Sequence, residues 1–200
     1  MSIWELVTLD KLGNCQLGKQ FHKPKYDPCL FENGHIPFVQ GQHVNGKLYV
    51  NSVEKYYNEF GLKQSLSFPG DTVCITSGTR IESAILKFSS CLSSDLWGFN
   101  SFELVSDPVF IKYCFNFSEI QRQLVAISSV GRKYLSLERL FKVPFPKPLL
   151  DIQQKIGRIL STYDLLIENY EKQIDLLKNQ RTKEPSCLKD DSYIINFPRT

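Results

Sequence analysis

Several absences narrow the chemistry of this chain. No run of 18 or more apolar residues occurs, and the N-terminus has no basic segment leading into a hydrophobic core, so neither a membrane span nor a secretory leader is expected. Histidine is scarce at three residues, and none stands at ligand spacing from a cysteine. The six cysteines, Cys15, Cys29, Cys74, Cys91, Cys114 and Cys187, are scattered and form no C-x-x-C pair. No metal site is therefore expected, and reduced thiols in a cytoplasmic protein are the default.

Catalytic signatures are missing as well. A methyltransferase needs a glycine-rich cofactor loop and an Asn/Asp-Pro-Pro-aromatic tetrapeptide, and Asp107-Pro108-Val109 is not one. A metal-dependent nuclease places Glu-x-Lys on a strand so that carboxylates hold the ion, and residues 1–150 contain no such triplet. Neither a phosphate-binding G-x-x-x-x-G-K-[ST] loop nor a G-x-S-x-G nucleophile turn is present. The reading is a protein without catalysis and without a cofactor.

Charge is divided unevenly. Of the net +3, residues 1–150 hold 16 Lys/Arg against 13 Asp/Glu, whereas residues 151–184 hold six of each and 185–200 two of each. A mildly positive domain permits phosphate contact, and a balanced helix suits protein contact.

The most informative stretch is 143–183. Pro144, Pro146 and Pro148 stop any helix on their N-terminal side, because proline lacks an N–H and pushes its predecessor out of the α region. From Asp151, a plausible cap or first-turn anion, proline and glycine are absent up to Pro185 apart from Gly157. One helix of about 31 residues, roughly 46 Å, is expected. Ile156, Tyr163, Tyr170 and Leu177 recur every seven residues; Ile159 and Leu166 sit three further on, with Gln173 breaking that row. Leu160, Ile167 and Ile174 flank them, giving a stripe wider than a two-column seam. Such a helix either folds back on its own domain or pairs with another long helix, and the few helical periods before the prolines favour pairing.

The run from Pro144-Phe145-Pro146 through Asp151-Ile152-Gln153-Gln154-Lys155-Ile156 to Leu177-Lys178 resembles the helical region shared by specificity subunits of type I restriction-modification systems. Prolines, helix start and apolar phase agree together over about 40 residues; Phe145 replaces the leucine usual between the prolines. The resemblance implies a helix that spaces DNA-reading domains and docks modification (methyltransferase) subunits, and through them restriction subunits.

The rest of the chain is similar to that family at matching places. Trp4-Glu5-Leu6 leads to a turn at Gly13, with Trp4 and Leu6 expected in the core. Gly18 to Tyr26 crowds Lys19, Gln20, Phe21, His22, Lys23, Lys25 and Tyr26 beside glycine and proline. That composition fits a solvated loop equally well, but its place in the resemblance favours Lys19, Gln20, Lys23, Lys25 and Tyr26 as contacts to double-stranded DNA. Ile36-Pro37-Phe38-Val39 reads as a strand whose proline suggests an edge or a strand start. Gln40, Gln42 and His43 at its exit are either ordinary turn residues or base readers, since glutamine matches adenine's major-groove edge.

Phe68-Pro69-Gly70-Asp71 predicts a turn held by Asp71, followed by a β-branched strand from Thr72 to Thr76 and a second turn at Ser77-Gly78-Thr79. Thr79 and Arg80 are DNA candidates, with a surface ion pair as the alternative for Arg80. Phe110–Phe115 and Ile120–Ala126 predict a helix pair or one broken helix. Arg132 and Lys133 flank a glycine turn that faces either DNA or solvent, and Leu135-Ser136-Leu137 fits the family just before the prolines.

The expectation is thus an α/β (α+β) protein: a strand-rich, mixed DNA target-recognition domain in 1–150, one long coiled-coil-type spacer helix in 151–184, and a tail in 185–200. A full specificity subunit carries two recognition domains and two helices, whereas this sequence has one of each and no internal repeat. An antiparallel homodimer burying Ile156, Ile159, Tyr163, Leu166, Tyr170, Ile174 and Leu177 is therefore expected. The alternative is a truncated subunit that complements modification subunits or another half-subunit without reading sequence itself.

Overall fold

The computed structural model describes residues 4–77, 81–128 and 136–181. The chain divides into two compact units, Met1–Asp164 and Leu165–Thr200. Thr79, Arg80, Arg132 and Lys133, the 185–200 tail, Gly78 and Leu135 lie outside the described residues.

In chain order the strands are β1 (Glu5–Thr8), β2 (Gly13–Leu17), β3 (Ile36–Val39), β4 (Tyr49–Val50), β5 (Lys55–Tyr57), β6 (Ser67–Phe68), β7 (Val73–Thr76), β8 (Ser83–Leu86), β9 (Ser90–Leu92), β10 (Leu96–Ser101) and β11 (Pro144–Lys147). The helices are α1 (Glu59–Lys63), α2 (Pro108–Asn116), α3 (Ser118–Ser128), α4 (Leu137–Leu140) and α5 (Leu150–Arg181). A five-stranded sheet runs β2-β10-β7-β8-β4, a four-stranded one β5-β3-β9-β6, and β1 pairs with β11 as a separate ribbon. The strand-rich mixed fold and the long helix match the expectation.

Local sequence explains the layering. β8 is buried at all four positions and β7 at three, the near-continuous apolar pattern of strands covered on both faces. At Gly98 in β10 any Cβ would come within 2.5 Å of the Phe68 ring, so glycine lets β6 of the second sheet approach the first. Helix α2 starts where Asp107 Oδ1 accepts the Phe110 N–H at 2.8 Å, with Pro108 in the first turn. It then buries Phe110, Ile111, Cys114 and Phe115 in the main core. Phe117, with extended backbone (φ −68°, ψ 128°), ends α2, and α3 begins at the next residue.

Helix α5 begins at Leu150, directly after the proline strand, and runs for 32 residues. Its first turns are fixed by polar groups at set places. Gln153, fully buried, donates to the carbonyls of Val105 at 3.1 Å and Pro148 at 2.9 Å, and accepts the Asp107 N–H at 3.0 Å. At Gly157 a Cβ would stand 3.0 Å from Asp107 Oδ1 and 3.3 Å from the Phe110 nitrogen, so glycine allows α5 and α2 to touch. Two turns on, Asp164 Oδ2 accepts from Tyr113 Oη at 2.7 Å and lies 3.4 Å from Lys112 Nζ, whose side chain is only 1% exposed. Burial pulls the Lys112 ammonium below its ordinary value and Asp164 opposes that.

Three local expectations are corrected. Trp4 and Leu6 are 39% and 53% exposed, because β1 joins only the two-stranded ribbon; Leu9 and Leu12 take the core positions instead. β3 is an interior strand rather than an edge, and of the two readings of its proline the strand start holds: Pro37 is the second residue of β3, and pairing with β9 begins at Phe38. The Pro69–Thr72 turn is tied by Thr72, whose hydroxyl lies 2.8 Å from the Pro69 carbonyl oxygen and 2.5 Å from Asn100 Oδ1; Asp71 is exposed, with φ at 64°.

Candidate nucleic-acid interface

The basic loop leaves β2 through Gly18 and returns to the second sheet by way of a 3-10 turn at Pro28–Leu30. Lys19, Lys23, Lys25 and Tyr26 are exposed. Lys25 Nζ donates to Ser94 Oγ at 2.7 Å, which pins the loop to the segment after β9. Tyr26 lies in a cluster with Gln40 and Lys55. Gln40 Nε2 donates to Tyr26 Oη at 3.3 Å, and Lys55 Nζ sits 4.9 Å from the Tyr26 ring centre and 5.5 Å from that of Phe31. A cation held over aromatic faces at a sheet edge is a surface able to meet phosphate and stack on a base.

The other nominated residues make hydrogen bonds within the domain. Gln20 donates to Tyr57 Oη at 3.3 Å and to the Lys25 carbonyl at 3.4 Å while accepting the Ser94 N–H at 3.3 Å, so its amide holds the loop rather than pointing outward. Burial pushes the Tyr57 hydroxyl up to about 12, keeping it a neutral hydrogen-bonding partner. Gln40 and His43 close a capping box around the 3-10 turn Gly41–His43, with the Gln40 N–H donating to His43 Nδ1 at 2.9 Å. That bond leaves the proton on Nε2, and burial lowers the His43 pKa below its ordinary 6.5. Gln42 donates to Glu54 Oε2 at 3.0 Å.

Lys55 and Ser94 were missed by sequence reasoning. The Lys55-Tyr56-Tyr57 triplet carries the same basic-aromatic signal as the nominated loop and could have been found, whereas Ser94 is joined to the site only by tertiary structure. A further convergence was also missed. His22 Nε2 lies 3.2 Å from Asp27 Oδ2, and the ligand atoms of His22, Asp27 and Cys29 all lie within 4.8 Å of one another. Asp27 caps the Pro28–Leu30 turn by accepting the Cys29 N–H at 3.1 Å. Its bonds to the Cys29 thiol and N–H hold its carboxyl below the usual range, while that same carboxylate pushes the Cys29 thiol up.

The helical stripe forms a second surface. Ile156 packs half-buried on the main core of its domain, whereas Ile159 and Tyr163 are 58% and 63% exposed. Beyond Asp164, Leu166, Tyr170, Ile174 and Leu177 are all exposed large hydrophobics. Beside Ile156 and Leu160 opens an apolar groove of about 470 Å³, also lined by Trp4, Leu6, Tyr113 and Phe117.

A strand-rich domain with a cation-bearing edge is thus followed by a long helix whose apolar face is exposed. The chain belongs to the type I restriction modification DNA specificity domain family, whose sequence profile matches residues 1–179. It is 26% identical over 209 residues to the type I restriction enzyme EcoR124I/EcoR124II specificity subunit of Escherichia coli, covering 98% of this chain and 49% of that protein. Its fold is similar to the HsdS subunit from Thermoanaerobacter tengcongensis, with a TM-score of 0.57 at 17% identity over 88% of this chain and 39% of that one. The type I restriction-modification S subunit from M. genitalium gives a TM-score of 0.59 at 16% identity, over 90% and 44%. The chain thus spans about half the length of its curated relative.

Proposed function

We propose that this chain is a half-size DNA specificity subunit of a type I restriction-modification system. Residues 1–150 read one half-site of double-stranded DNA, 151–184 form the spacer and dimerisation helix, and 185–200 follow as a tail. Two copies pair through antiparallel helices and present modification subunits, with their restriction partners, to the site; methylation and cleavage belong to those partners. The observation that carries this reading is that one chain joins a family recognition domain to a stripe whose Ile159, Tyr163, Leu166, Tyr170, Ile174 and Leu177 stay exposed without a partner. Isolated apolar side chains are common on surfaces, but a contiguous face of this length marks an interface.

Lys19, Lys23, Lys25 and Tyr26 supply phosphate and stacking contacts, joined by Lys55; Gln40 and Gln42 reach base edges, while Gln20 and His43 shape the loops that carry them. Thr79, Arg80, Arg132 and Lys133, which lie outside the described residues, are proposed as further DNA contacts. A two-fold dimer reads inverted half-sites, and a helix of about 48 Å sets them roughly 14 base pairs apart.

Footprinting of the chain mixed with a modification subunit tests the proposal: protection of a specific sequence made of two inverted halves is expected. Weak binding without sequence preference, even with partners added, overturns it. In the same assay Lys23→Gln with Lys25→Gln should weaken binding to all sequences alike and flatten the salt dependence by about two units of slope.

A further inference from the structure

We propose that His22, Asp27 and Cys29 form a zinc site that closes the basic loop on itself. The three side chains lie within eight residues of sequence and offer one imidazole nitrogen, one carboxylate oxygen and one sulfur. A mixed nitrogen, oxygen and sulfur set selects a borderline cation such as zinc over magnesium or calcium, which take oxygen ligands almost alone.

The distances suit that ion. Bonds of about 2.0 Å to nitrogen and oxygen and about 2.3 Å to sulfur put tetrahedral ligand atoms about 3.3 to 3.6 Å apart. His22 Nε2 and Asp27 Oδ2 already stand 3.2 Å apart, and Cys29 Sγ lies within 4.8 Å of both. Cys29 is exposed, which leaves its side chain room to rotate toward the other two.

Outer contacts hold the ligands ready. Asp27 Oδ1 is occupied by the Cys29 N–H, which leaves Oδ2 facing the imidazole. The His22 ring stands edge-on to Phe60, with centroids 5.6 Å apart. These fixed orientations are what distinguishes a built site from a chance group of polar side chains. A fourth position stays open to water.

Charge gives the site a consequence. Without metal, the neutral imidazole, the carboxylate and the thiol sum to minus one. On binding, the thiol releases its proton, the thiolate and carboxylate bond the dication, and the sum becomes zero. Loading therefore raises the loop's charge by one unit while shortening the arc that carries Lys23 and Lys25. Metal binding itself does not depend on the DNA reading; its effect on DNA affinity does.

The full chain, purified under reducing conditions and stripped of metal, is titrated with zinc alone by calorimetry and then with cobalt(II) by absorption. One equivalent of zinc, a thiolate-to-cobalt charge-transfer band, loss of that band in Cys29→Ser and at least about tenfold weaker zinc binding in His22→Gln are expected. No zinc binding, or parent affinity in either variant, overturns the site. Should a variant fail to fold, iodoacetamide labelling of the parent decides. Zinc is expected to protect Cys29, and unchanged labelling of Cys29 refutes the proposal.

Discussion

The two halves of α5 share one apolar phase but are held by different means. From Leu150 to Asp164 the helix is located by Gln153, Gly157 and Asp164, each matched to one place on the Val105–Tyr113 segment. From Leu165 to Arg181 nearly every described side chain is exposed, and the stripe has only hydrophobicity to offer. Polar and steric keys specify one geometry, whereas an aliphatic face specifies burial without saying against what. The first half is thus set by its own chain, whereas the exposed stripe of the second is the face that the proposed pairing would bury.

The largest effect should come from breaking the second half. Leu166→Asp would put a carboxylate into the paired stripe twice per dimer, and self-association should weaken by more than about 1000-fold in sedimentation velocity. An unchanged sedimentation coefficient across the two proteins would refute helix pairing.

Next come the keys of the first half. Asp164→Ala leaves the buried Lys112 ammonium without its counter-charge and should cost about 3 kcal/mol in denaturant unfolding. Lys112→Met removes the cation and fills its volume, so it should cost far less; equal losses would show that the ion pair is not the key. Gln153→Ala strands the Asp107 N–H and the carbonyls of Val105 and Pro148, for about 2 kcal/mol.

The smallest effect is set by pH. Because burial holds His43 below 6.5, the unfolded chain takes up a proton before the folded one as pH falls. Stability is therefore undiminished by His43 above about pH 6.5 and declines below it. Thermal melts from about pH 7.5 to 5.5 should show this decline, and His43→Gln should reduce it. Pairing through the aliphatic stripe should hardly respond over the same range.

The parts of this fold that were legible in the sequence were those written in local chemistry. Three alternating prolines stop one element and release the next, so the start of α5 was readable to within a residue. The β-branched run at Val73–Thr76 and the apolar spacing of α2 and α3 were readable for the same reason. What escaped depends on residues distant in sequence. Trp4 and Leu6 look like core until β1 is seen to pair only with β11 among the described strands, and the bonds that join Gln20 to Tyr57 and Ser94 link positions far apart in the chain. Ligand-spacing rules passed over His22 and Cys29 because the turn that gathers them is capped by Asp27, the third member of the same group.

The buried Gln153 amide also bears on how such chains can be recombined. A chimaera joined at the prolines would graft a foreign helix onto a domain whose Val105, Asp107, Lys112 and Tyr113 were matched to the native one. A crossover placed after Asp164 would carry every matched pair along together. The unit that keeps these matched pairs together therefore ends four turns inside the helix, not at its visible beginning.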